Sequence, residues 1–366
     1  MSGSPVPRRR ATLASLAAEL KVSRTTISNA YNRPDQLSAE LRERIFTAAK
    51  RLGYPGPDPV ARSLRTRRAG AVGLMITEPL NYSFSDPAAL DFVAGLAESC
   101  EEVGQGLLLV AIGPNRSVED GSAAVLAAGV DGFVVYSASD DDPYLPVVQQ
   151  RHLPVVVVDQ PRHVPGTSQV CIDDRAAMRR LAEHVLGLGH REIGLLTMRL
   201  GRDQPDGHPR PTLADPQRVK TAHFHVQRER IGGVLDAVAA AGLDAAAVTV
   251  VESYEHLPTS GGAAAEVALA ANPRLTALMC TADVLALSAM DFLRARGIYV
   301  PGQMTVTGFD GIPDALRRGL TTVAQPSVEK GRRAGRLLNQ PPRHGIPVID
   351  ILDTELIRGR TAGPPA

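Results

Sequence analysis

Apolar positions near the start of the chain recur at helical spacing. Leu13, Leu16, Ala17 and Leu20 share one face. After a short turn at Lys21 and Val22, Ser23 stands where a helix N-cap belongs, its hydroxyl able to accept from the first free backbone N–H groups. The spacing predicts a second helix over 24–31 that buries Ile27 and Ala30 and turns Arg24, Thr25, Ser28 and Asn29 outward. Ser38 can cap a third helix, with Leu41, Ile45, Ala48, Ala49 and Leu52 on its inner face and Gly53 at its end. Two short helices joined by a tight turn, with a third packed across them, make a helix-turn-helix.

From Ala71 the pattern changes. Short apolar runs of the buried parallel-strand type at 72–76, 107–110, 132–135 and 155–158 alternate with amphipathic stretches such as 88–103. A second series of runs follows at 193–196, 248–251, 277–280 and 304–307. Strands alternating with helices predict two doubly wound α/β halves, in which ligands bind beyond the carboxyl ends of the strands. Between head and body, Pro55, Pro57 and Pro59 prevent a continuous helix. A Pro-, Arg- and His-rich stretch at 199–225 interrupts the second series and reads as an irregular surface loop. Its His208, His223 and His225 are too loosely spaced for a metal motif, so no metal and no cofactor is expected.

Charge sharpens the division. The 366 residues carry 40 basic and 39 acidic side chains, a net of +1. Residues 1–70 alone hold fourteen basic and five acidic side chains, or +9, which leaves −8 on the remainder. A basic head on an acidic body points to an anionic partner for the head. Cys100, Cys171 and Cys280 have neither metal nor redox spacing, which fits a reducing, cytoplasmic setting. No apolar stretch reaches the roughly 18–20 residues needed to span a bilayer, so no membrane partner is expected. Arg8, Arg9 and Arg10 before the apolar stretch 11–18 mimic a secretory leader, but Glu19 and Lys21 end it early and no cleavage pattern follows.

The residues Thr12-Leu13, Leu16-Ala17, Val22-Ser23, Thr26, Ser28 and Asn32, followed by Arg42, Leu52-Gly53-Tyr54-Pro55 and Ala61-Arg62-Ser63-Leu64, closely resemble the lactose-repressor/galactose-repressor (LacI/GalR) family of bacterial transcription factors. The resemblance implies that Arg24, Thr25 and Asn29 read bases, and the chemistry agrees. Arginine pairs bidentately with guanine and asparagine with adenine in the major groove, while Ser23 and Thr26 suit phosphates. Thr12, Leu13, Ser28, Asn32 and Tyr54 complete the DNA-binding surface that the family pattern implies. Ala61 and Leu64 match a hinge helix that folds on the operator, Leu64 wedging into the minor groove of a kinked duplex and Ala61 letting two such helices pack. Asn29 stands where many relatives carry Arg, and Leu41 where a Thr is usual.

The same resemblance extends nearly to the C-terminus and implies a periplasmic-binding-protein-like body with a small-molecule cleft between its halves. Asp159, Arg230, Asp310 and Gln325 match cleft positions; carboxylates and a guanidinium suit polyhydroxyl ligands. Asp283, in Thr281-Ala282-Asp283, is either a ligand contact or a cap for the following helix, since Ala282 replaces a usual Asn. Tyr82 and Phe84, in the first βα turn, can stack on a ligand.

The expected architecture is therefore an all-α helix-turn-helix head with a hinge helix, joined to an α/β body of two doubly wound subdomains. The expected boundaries are a basic tail at 1–10, the head at 11–57, the linker and hinge at 58–69, and the effector-binding and dimerisation domain at 70–366. Within the last, the first subdomain is expected at 70–163 plus 326–345 and the second at 165–324 plus 346–360. The expected partners are a pseudo-palindromic operator, a sugar-like effector and a second copy of the chain. The tail lacks leucine heptads, so a tail-driven tetramer is not expected. Catalysis is not expected either, because no G-x-G-x-x-G opens a helix after a strand and no Walker A, G-x-S-x-G or H-E-x-x-H sequence is present. The rival reading is a solute-binding sensor without operator readout; the charge of the head weighs against it.

Overall fold

A computed structural model describes residues 11–57, 66–78, 84–113, 116–203, 210–255, 257–340 and 346–366. The expected hinge residues Ala61 and Leu64, and Tyr82 of the first βα turn, lie outside them. The chain forms two compact units, Met1–Ala69 and Gly70–Ala366.

The first unit is the expected three-helix head: α1 (Leu13–Leu20), α2 (Arg24–Asn32) and α3 (Ala39–Leu52). Short polar side chains start each helix. Thr12 and Ser15 form a reciprocal capping box, Ser23 Oγ accepts from Thr26 N at 2.9 Å, and Ser38 Oγ accepts from Leu41 N at 3.3 Å. Lys21 and Gly53 close α1 and α3 in the left-handed conformation. Leu16, Ile27 and Ile45 are fully buried at the centre, and Tyr54 closes the core edge-on to Tyr31.

The second unit alternates strands and helices along the chain. It runs β1 (Ala71–Ile76), α4 (Pro87–Glu102), β2 (Gly106–Ala111), α5 (Val118–Ala127), β3 (Gly132–Tyr136), α6 (Leu145–Gln150), β4 (Val155–Val158), β5 (Ser168–Ile172) and α7 (Asp174–Gly187). It continues with β6 (Ile193–Met198), β7 (Thr212–Leu213), α8 (Pro216–Lys220), α9 (His225–Ala240), β8 (Thr249–Ser253), α10 (Ser260–Ala271), β9 (Ala277–Cys280) and α11 (Asp283–Ala295). The last elements are β10 (Thr305–Asp310), α12 (Pro313–Arg317), β11 (Thr321–Ala324), α13 (Ser327–Asn339), β12 (Ile349–Leu352) and β13 (Glu355–Ile357).

Two sheets result, and the expected fold class is borne out. The first has the order β12-β5-β4-β3-β1-β2 and is parallel throughout. The second has the order β13-β11-β10-β9-β6-β8-β7, parallel except at its two edge strands. Alternate residues of the first sheet feed two cores: Met75, Phe133 and Val157 on one face, Leu74, Val134 and Val156 on the other. On the second face α4 and α13 approach closely. A Cβ on Gly95 would overlap the Val328 backbone, and one on Gly331 the backbone of Phe92.

The subdomain boundaries differ from expectation. Residues 168–172 and 349–352 fall within stretches assigned to the second half, yet both pair in the first sheet, Val156 beside Ser168 and Ile349 beside Gln169. Ser168 and Gln169 make β5 look polar, although all five of its residues are buried, and β12 alternates exposed with half-buried positions as an edge strand does. The chain therefore crosses between lobes after β5, after β11 and after β12. In its described residues the 199–225 stretch is not all irregular loop. It adds β7 to the sheet edge and contains α8, with Arg218 clamped between Glu252 and Asp203 at 2.9 and 2.8 Å.

Candidate functional site

In the head, Ser23 sets the start of α2, and the first turn presents Arg24 and Thr25 to solvent. Ser23 and Thr26 share a side-chain hydrogen bond of 2.8 Å. Asn29 donates to Gln36 Oε1 at 3.3 Å, and Asn32 donates to the Ser28 carbonyl at 2.8 Å. Leu13 is half-buried against the head core and Tyr54 is buried in it, whereas Thr12 is exposed at the N-terminus of α1. The arrangement leaves a compact patch of hydroxyl, amide and guanidinium donors on one end of a helix.

In the body, the carboxyl ends of both sheets converge. Asp159 follows β4 in a left-handed conformation, and its Oδ1 accepts from Lys330 Nζ at 2.6 Å. Lys330, only 2% exposed, also donates to Gln325 Oε1 at 2.5 Å. Gln325 Nε2 donates to Asp310 Oδ1 at 2.6 Å. Arg230, on α9, lies 3.6 Å from the same oxygen, donates from Nε to Asp174 at 2.8 Å and from Nη1 to the Thr281 carbonyl at 2.6 Å, and stacks 3.7 Å over the Phe309 ring. Burial pushes the Asp310 carboxyl well above its usual range, the Arg230 guanidinium pulling the other way. Burial likewise raises Asp174, against the pull of Arg230. One continuous polar chain thus runs from the first lobe, through the crossover after β11, into the second.

Beside it lies a cavity of about 100 Å³ lined by both lobes. Glu78 and Asp86 follow β1, Tyr136 and Ser137 stand at the end of β3, Gln160 follows β4, Arg199 follows β6, and Phe224 and Gln227 flank the start of α9. Arg199 is 5% exposed and pairs with Glu78 across the cleft. Burial pushes the Glu78 carboxyl up to about 7 despite that partner. Gln160 donates to Ser137 Oγ at 3.1 Å and accepts from Val226 N at 2.7 Å, so one amide bridges the lobes. At the rim, Arg228 meets Asp140 at 2.9 Å and His223 Nδ1 meets Asp141 at 3.2 Å. The lining offers both acceptors and donors, from carboxylates, amides and a guanidinium.

Asp159, Arg230, Asp310 and Gln325, chosen from the sequence, come together in the polar chain. They do not line the cavity itself. Asp283 is held within the second lobe. Fully buried, it accepts from Gly311 N at 2.7 Å, Ile312 N at 2.9 Å and Thr322 Oγ1 at 2.6 Å, so its oxygens hold the loop after β10. It lies off the cavity lining and in the first turn of α11, where the helix dipole favours an acid, while the cap residue Ala282 makes no side-chain bond. Phe84 is exposed and also lies off the cavity lining. Sequence reasoning missed Lys330, Asp174 and the lining residues. Position carried a signal for several, because Glu78, Ser137, Gln160 and Arg199 come one or two residues after a parallel strand, where doubly wound sheets place their ligands.

Comparison with known proteins agrees with this construction. Residues 182–361 match the periplasmic binding protein-like domain family. The chain is 82% identical over 366 residues, all of both chains, to an HTH-type transcriptional regulator of Mycolicibacterium smegmatis. A crystal structure of a LacI-family transcriptional regulator from Corynebacterium glutamicum is similar at 34% identity and a TM-score of 0.74, covering 97% of this chain and 99% of that one. A CelR–cellobiose complex is similar at 28% identity and a TM-score of 0.67, covering 96% and 100%. A helix-turn-helix head on a two-lobed body defines a DNA-binding transcriptional regulator. The chain belongs to the LacI family of such regulators.

Proposed function

We propose that the protein is a cytoplasmic repressor that reads a roughly palindromic operator as a homodimer, and that a sugar-like effector held between the lobes sets its operator affinity. The reading rests on one observation above others: an interlobe cavity lined by Glu78, Asp86, Gln160, Arg199 and Gln227 at the carboxyl ends of both sheets, in a chain whose head presents Arg24 and Thr25 at the start of its second helix. In this reading Arg24 donates to guanine, and Asn29, released from Gln36, pairs with adenine. Thr25 joins the base-reading surface, while Ser23, Thr26 and the N-terminus of α1 at Thr12 and Leu13 meet phosphates. Ser28, Asn32 and Tyr54 hold that surface in place. Ala61 and Leu64 supply the hinge and its minor-groove wedge.

In the body, the effector occupies the cavity, with Asp159, Arg230, Asp310 and Gln325 as the adjoining polar frame. Tyr82 and Phe84 are the aromatic side chains proposed to stack on it. The similar CelR structure is a cellobiose complex, and that likeness supports a sugar-like effector here. Coupling requires that the effector bind one lobe arrangement better than the other. No catalytic step is needed for this cycle. Thermal unfolding of the full-length chain against D-hexoses, D-pentoses, hexitols and nucleosides tests the reading. A true effector at a hundredfold excess over its Kd stabilises by about 2.7 kcal/mol. A chain that none of these compounds stabilises contradicts the proposal.

A further inference from the structure

Arg199 has more donors than the fold uses. It follows β6 of the second lobe, and its Nη2 is taken by Glu78 of the first. The guanidinium carbon lies 5.1 Å from the ring centroid of Phe224 and 5.8 Å from that of Tyr254, so two aromatic rings and a carboxylate constrain its plane. The Nε–H is nevertheless buried and has no hydrogen-bond partner among the described residues. Native proteins seldom leave a buried donor unsatisfied, and a charged one least of all. Arg199 lines the interlobe cavity, where an acceptor on a bound molecule could satisfy it.

Resting on the reading of that cavity as the effector site, we propose that Arg199 is a specificity-determining residue. Its Nε donates to an oxygen of the bound molecule while Nη2 stays on Glu78. One guanidinium then reads the effector from the second lobe and holds the first. A molecule without an acceptor at that point leaves the donor stranded and is rejected, which discriminates more strongly than an apolar wall does.

Isothermal titration of the full-length wild type, Arg199→Met, Arg199→Lys and Arg228→Gln tests the proposal. The probes are those D-hexoses, D-pentoses, hexitols and nucleosides that stabilise the wild type. Unfolding midpoints without added compound report that each variant is folded. Arg199→Lys keeps a cation for Glu78 but has no second donor at the Nε position. Arg228→Gln removes a different lobe-to-lobe ion pair, to Asp140, outside the cavity lining. The expected result is a Kd raised about tenfold or more in both Arg199 variants, with affinity retained in Arg228→Gln. Wild-type affinity in Arg199→Lys overturns the proposal, because it reduces Arg199 to an ion pair, while the effector reading stands. No binding of any probe to the wild type overturns that reading and the inference with it.

Discussion

The two units of this chain are held together in different ways. The head is built from neighbours. Its caps join residues three apart, and its core comes from three helices within forty residues of one another. The body depends on partners far apart in the chain: Lys330 reaches Asp159 across 171 positions, and Arg199 reaches Glu78 across 121. Local caps contribute small, separable increments of stability. A buried ion pair behaves otherwise, because removing one partner strands the other charge away from water. The head should therefore yield gradually to substitution, and the body abruptly.

Two variants put that contrast at risk. Lys330→Met fills the same space without a charge and leaves Asp159 and Gln325 without their donor. Urea denaturation should show a loss of about 3–5 kcal/mol in the body. A loss no larger than that of a surface ion pair would mean that the polar chain does not hold the lobes. Ser23→Ala removes the side-chain acceptor at the start of α2 and should cost about 1 kcal/mol. That cost should be read locally, as faster hydrogen exchange of the amides of α2, with the body unaffected. The two losses should add in the double variant, since the sites share no partner.

The same contrast explains what was legible in the sequence. Helix-turn-helix geometry follows from apolar spacing and capping residues inside a short window, so Ser23, Ile27, Ser38 and Gly53 could each be placed from local spacing alone. The strand runs were equally clear where they were apolar, as in Val155–Val158. They failed at Ser168–Ile172, whose polar first residues are buried by a neighbouring strand that no local pattern announces. The partners of Asp283 were hidden for a related reason. A carboxylate at a helix start invites a capping or ligand role, but its hydrogen-bond donors come from a loop almost thirty residues onward and from Thr322. Lys330 was invisible because a lysine in an amphipathic helix usually faces solvent, and only the crossover after β11 brings Asp159 and Gln325 to it.

The division of charge acquires a physical meaning here. The +9 head carries the donors that an anionic duplex satisfies, and the −8 body carries the polar cleft. If the protein works as proposed, the cleft controls the head. The decisive experiment titrates the full-length protein against an operator selected from random duplexes, at fixed salt. It is run with and without the sugar or nucleoside that most stabilises the wild type. The compound should change operator affinity by about tenfold or more. Equal affinity in both titrations, with the compound demonstrably bound, would mean that the cleft does not govern the head.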